Sequence, residues 1–157
     1  MMWRHLPPVG RTIAVATVDA VGAARARDVD GYVTATDRLA AVDPRLVGPV
    51  LGTVTRMLLE ETHPNGLTGE DLREIQRRAA RSAEVWLPDT DGHAIGVLLT
   101  GALGVQPDEA GPVEATAVAR HAPLLLADLV TASGLPLADF LDAAFAETAR
   151  TETMELP

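Results

Sequence analysis

Hydrophobic side chains recur every three or four residues along most of the chain, which is the spacing that aligns them on one face of an α-helix. Breaks rich in proline, glycine and aspartate separate these stretches, notably at 43–44, 63–66, 89–92 and 134–136. The pattern predicts helices over 11–27, 29–40, 44–61, 69–87, 94–105, 112–133 and 136–150. At 12–18, Ile13, Val15 and the threonines leave a β-strand as the alternative to helix.

Residues 94–105 form the most hydrophobic of these segments, with no charge and a single polar side chain, Thr100. A helix that is apolar on all sides is buried, and this run is too short to span a membrane. Gly96, Gly101 and Gly104 lower its helix propensity, which predicts close packing by neighbouring helices. We therefore expect an all-α, single compact domain of about five to seven helices around a central apolar helix near 94–105. A buried strand is the rival interpretation of this run.

The length of 157 residues suits one domain. Pro7 and Pro8 predict a flexible N-terminal arm over 1–10. Residues 11–150 are then the single helical domain, and 151–157 a frayed acidic tail.

Composition and charge reduce the range of functions that we expect for this protein. The formal net charge of −9 disfavours binding to the phosphates of nucleic acids. Absence of cysteine excludes disulfides and thiolate chemistry. Asp19 interrupts the N-terminal apolar run, so a signal peptide is not expected and the predicted location is cytoplasmic, with no membrane attachment. Arginine supplies every basic side chain, which is typical of GC-rich, actinobacterial-like coding.

Metal and catalytic motifs are incomplete. Glu60 and His63 have the Glu-x-x-His spacing of di-metal helical bundles, but the required second copy is missing. The 89–92 turn fails as a calcium loop because its first and last ligand positions would be Leu87 and Leu98. No serine lies in a nucleophile motif. We predict no metal, no cofactor and no catalytic residue, and we do not expect an enzyme.

Four arginines cluster on the 69–87 helix: Arg73, Arg77, Arg78 and Arg81. A phosphate-binding face is one interpretation. Glu74 lies four residues before Arg78, and Glu84 three after Arg81, so a solvated, internally paired face is the favoured one.

Pro123 falls inside the 112–133 helix, where it removes a hydrogen bond and bends the axis. A bend facing the glycine-containing central helix would open an apolar pocket, with His121 as its lone titratable group. The predicted lining is Leu98, Leu99, Ala102, Leu125 and Leu129. The alternative is that Leu124 and Leu125 fill the bend and His121 is a hydrogen-bonded core histidine.

These observations favour a non-enzymatic cytoplasmic interaction or accessory protein, which would bind a protein partner or self-associate as a homodimer. The alternative is a regulatory domain that binds a small apolar ligand and lacks its own DNA-binding motif. A flat exposed apolar patch would favour the first hypothesis. An apolar cavity with one or two polar groups would favour the second.

Overall fold

The protein is all-helical. The structure, a computed structural model, describes residues 3–105 and 113–155, with side chains up to 151. Over this part of the chain it contains seven helices and no strand, which confirms the predicted fold class and excludes a strand at 12–18. The helices are α1 (Pro8–Ala26), α2 (Val29–Ala40), α3 (Pro44–Thr62), α4 (Gly69–Glu84), α5 (Gly92–Ala102), α6 (Ala115–Ser133) and α7 (Leu137–Glu155).

Polar side chains cap the starts of several helices. Asp28 and Asp91 accept backbone N–H groups at the starts of α2 and α5. Thr68 and Asp71 form a complete capping box at α4, with bonds of 3.0 and 2.9 Å. Gly134 ends α6 in the left-handed conformation, at φ 69°. Local sequence therefore sets most helix ends.

Several predicted boundaries differ from those of the structure, including the end of α4 at Glu84 and both ends of α5 at Gly92 and Ala102. α1 begins at Pro8, three residues earlier than predicted, because proline fits the first helical position, where no hydrogen bond is lost. α7 continues to Glu155, and no glycine or proline interrupts 151–155. α6 begins at Ala115; the loop predicted at 106–111 lies outside the described residues.

The central element is α6, which packs against α1, α2, α3, α4 and α5. Ten of its residues are buried, including the unbroken run 121–127. The predicted centre, α5, buries only Ala94, Ile95 and Leu99, so its central role was predicted wrongly. The physical reason is that part of its apolar surface lines a cleft rather than meeting a neighbouring helix.

Tyr32 joins α2 to the centre of the fold. Its ring is fully buried and meets Trp86 edge to face, with centroids 5.3 Å apart. The phenol donates a hydrogen bond to the backbone oxygen of Arg120 on α6. Burial raises the pKa of Tyr32 well above its ordinary value.

None of the helices, in the part of the chain that the structure describes, combines the length and the hydropathy needed to cross a membrane.

A glycine-lined apolar cleft as candidate functional site

A cleft of about 540 Å³ separates α3, α5 and α6. α5 contributes Leu98 and Ala102, and α6 contributes Val118 and Leu125. Val105 and Val113, the described residues on either side of 106–112, also line it. Its walls are therefore mostly aliphatic.

The third wall, on α3, includes two glycines. Gly48 and Gly52 lie one helical turn apart on this wall, and Gly101 of α5 lines the same cleft. A Cβ atom added at any of the three would meet no described atom within 4 Å. Packing therefore does not require these glycines, although each lowers helix stability by up to about 1 kcal/mol relative to alanine. Their effect is to widen the cleft.

Among the described residues that line the cleft, polar side chains are few, and most are already bonded. The hydroxyl of Thr55 donates to the carbonyl of Leu51 at 2.8 Å. Thr53 has no hydrogen-bond partner for its hydroxyl among the described residues, although it lines the cleft. Of the described lining side chains, it is the polar one that remains available to a bound molecule.

Arg56 also lines the cleft, but two carboxylates hold it. Its guanidinium lies 2.9 Å from Glu60 and 2.6 Å from Glu147 of α7. The hydrogen bond to Glu60, with the charges of both carboxylates, raises the pKa of Arg56 above its ordinary value. One positive and two negative charges leave a net −1 here. This end of the cleft therefore does not favour an anion.

The structure brings together only part of the predicted pocket. Leu98, Ala102 and Leu125, three of the residues named for the predicted pocket, line this cleft. Leu99 and Leu129 are buried in the core and are not among the described residues lining it. Pro123 is itself buried within a continuous α6.

His121 faces away from the cleft. Its Nε2 accepts the backbone N–H of Asp91 at 3.0 Å, and its Nδ1 lies 2.9 Å from the carbonyl oxygen of Ala117. The predicted pocket placed His121 wrongly, because the backbone groups around it bind both ring nitrogens. It is a hydrogen-bonded core histidine, which was the alternative interpretation.

The contribution of α3 to the cleft was not predicted from the sequence. Its signal was the grouping of Gly48, Pro49 and Gly52, residues unfavourable to helix, within an otherwise strongly amphipathic segment. A glycine pair one turn apart predicts a locally flat helix face, and such a face can border open space.

Clustered metal ligands are also absent from the described residues, which hold no group of three or more His, Cys, Asp or Glu side chains able to bind an ion. His63, which has the Glu-x-x-His spacing with Glu60, is the C-cap residue of α3.

Searches with this chain matched no family model, no curated protein and no solved structure. Its function must be inferred from its own residues.

Proposed function

We propose that this protein is a non-enzymatic helical domain that binds a small apolar molecule in the cleft between α3, α5 and α6. The observation that carries the proposal is the set of three helical glycines, Gly48, Gly52 and Gly101, that border one apolar space without being required by packing. The volume of about 540 Å³ lies within the range usual for small-molecule sites.

The lining indicates the chemistry of the ligand. Aliphatic walls favour a hydrocarbon-rich molecule, and the free hydroxyl of Thr53 can form one orienting hydrogen bond with it. The net negative charge of Arg56 with Glu60 and Glu147 disfavours an anionic group at that end. We infer a neutral ligand with a single polar group.

The interaction-protein hypothesis remains a prediction. Among the described residues, large hydrophobic side chains that are more than a third exposed are distributed on or beside five helices. These residues are Val9, Val15, Val29, Leu46, Val85 and Val105.

The proposal is tested by filling the cleft with larger side chains and measuring the binding of an apolar dye. N-phenyl-1-naphthylamine, a neutral apolar dye, is titrated into the protein while its fluorescence is followed. We expect saturable binding to the parent, and binding about tenfold weaker or worse in Gly52→Leu and Gly101→Leu, because leucine occupies the space the dye needs.

Tight packing at Gly101, as the sequence suggested, would make Gly101→Leu strongly destabilising. The open space instead predicts an unchanged or higher melting temperature.

Gly22→Leu is the matched control, since Gly22 is an exposed glycine of α1 with open space around it and lies outside the cleft. It should bind the dye as the parent does. Equal dye binding by parent and cleft-filled variants would refute the proposal. So would a parent dimer, seen by light scattering, that Gly101→Leu converts to monomer, because a second copy would then occupy the cleft.

A further inference from the structure

A second cleft, of about 350 Å³, is lined by a different face of α6 from the first. It is bounded by the C-terminal end of α1, by α4 and by the α6 face that carries Asp128 and Thr131. Arg25 lines it from α1, Arg27 from just after α1, and Trp86 from just after α4.

Positive charge is in excess in this cleft. Asp128 is its single carboxylate among the described lining residues, and both of its oxygens accept hydrogen bonds from Arg78, at 2.8 to 3.1 Å. This pair replaces the predicted Glu74–Arg78 pair; Glu74 instead lies 3.4 Å from Arg77. Arg25 and Arg27 have no carboxylate within 4.0 Å in the described part of the chain. Two uncompensated guanidinium groups thus share one cleft of an acidic protein.

Arg27 also has an unfavourable backbone conformation. At φ 57° it is the one residue other than glycine with a positive φ in the described chain. It terminates α1 with the turn that Gly134 provides at the end of α6. A non-glycine residue in this conformation costs about 1 kcal/mol or more relative to glycine. Backbone strain of this kind is often found where the side chain has a function.

The remaining lining completes a site for an anion with an apolar body. The hydroxyls of Ser82 and Thr131 have no hydrogen-bond partner among the described residues. Trp86 and the side chain of Leu124 supply apolar surface beside them. We propose that this cleft binds a small organic anion, whose carboxylate or phosphate pairs with Arg25 and Arg27 while its apolar part packs against Trp86.

The test uses Trp86 as the reporter. Trp3→Phe removes the other tryptophan of the chain, so that the remaining fluorescence comes from Trp86. This protein is titrated with phenyl phosphate, benzoate, inorganic phosphate and benzyl alcohol, with calorimetry as a second readout. We expect phenyl phosphate or benzoate to bind saturably and more tightly than inorganic phosphate or the neutral alcohol. The tighter of the two identifies the anionic group.

Arg27→Gly distinguishes a loss of anion binding from a loss of stability. It removes one guanidinium and relieves the backbone strain, so we expect about tenfold weaker anion binding together with a higher melting temperature. Arg25→Gln should weaken binding similarly. The control is Arg11→Gln, which removes an exposed charge near the other end of α1 and should change neither property.

Two results would overturn this inference: no saturable binding of either aromatic anion to the parent, or unchanged binding in both Arg27→Gly and Arg25→Gln. Gly52→Leu should bind the anions as the parent does, since it alters only the first cleft. A failure of the proposal for one cleft can therefore be distinguished from a failure of the proposal for the other.

Discussion

His121 lies where α6 meets the turn before α5, and its hydrogen bonds define its role. Because Nε2 accepts the N–H of Asp91, the proton of the ring is on Nδ1, which donates to the carbonyl of Ala117. The ring is thus held in one tautomer between two backbone groups. It connects the N-cap of α5 to the central helix.

We expect His121→Ala to lower the free energy of unfolding by about 1–3 kcal/mol, since it leaves the N–H of Asp91 without a partner. Urea unfolding measures this. His93→Ala, which alters an exposed histidine, is the control and should stay within about 0.5 kcal/mol of the parent. Dye binding by folded His121→Ala should be normal. An unchanged stability with lost dye binding would mean that His121 belongs to the ligand site after all.

At the scale of the element, the start of α4 shows how a short sequence fixes a helix end. Thr68 and Asp71 satisfy each other's backbone N–H groups, which would otherwise lack partners in the first turn. The hydrogen bond from the backbone N–H of Thr68 to the carboxylate lowers the pKa of Asp71.

This lowered pKa predicts a pH dependence. The folded pKa of Asp71 lies below its unfolded value, so its contribution to stability is complete above the unfolded pKa, about 4. The contribution disappears as pH falls through the folded pKa. We expect Asp71→Asn to be less stable than the parent at neutral pH, with the difference shrinking at acid pH. Thermal unfolding across pH measures it.

Glu70→Gln is the matched control, because Glu70 occupies the same first turn but makes no side-chain hydrogen bond among the described residues. It should show a smaller effect of pH. A difference between parent and Asp71→Asn that is equal at neutral and acid pH would contradict the role of the capping carboxylate.

At the scale of the whole molecule, charge determines which large partners are favourable. The net charge is −9, and arginines of different helices are engaged by carboxylates, as in the Arg38–Asp19 and Arg56–Glu147 pairs. The uncompensated Arg25 and Arg27 lie in a cleft of small-molecule size. No extended basic face results from these positions.

We therefore expect no retention of duplex DNA or RNA by micromolar protein at about 150 mM salt, because the phosphate backbone would be repelled. Gel-shift titrations over a range of salt measure this. Weak retention that appears only at low salt would agree with the expectation. Retention that survives physiological salt would contradict it.

Helix formation was predictable because its signals are local. The three- and four-residue spacing, the caps at Asp28, Thr68 and Asp91, and the stop at Gly134 all act within about one helical turn. The sequence by itself therefore determined the all-α class and most helix ends.

The candidate site was only partly predictable because apolar side chains suit a core and a cleft wall equally well. Leu98 and Leu99 are adjacent and identical, yet one lines the cleft and the other is buried. Gly101 could have marked a tight contact and instead borders open space. Which surfaces meet depends on the arrangement of helices distant in sequence, and tertiary packing alone made α6 central, placed His121 against Asp91 and opened the two clefts.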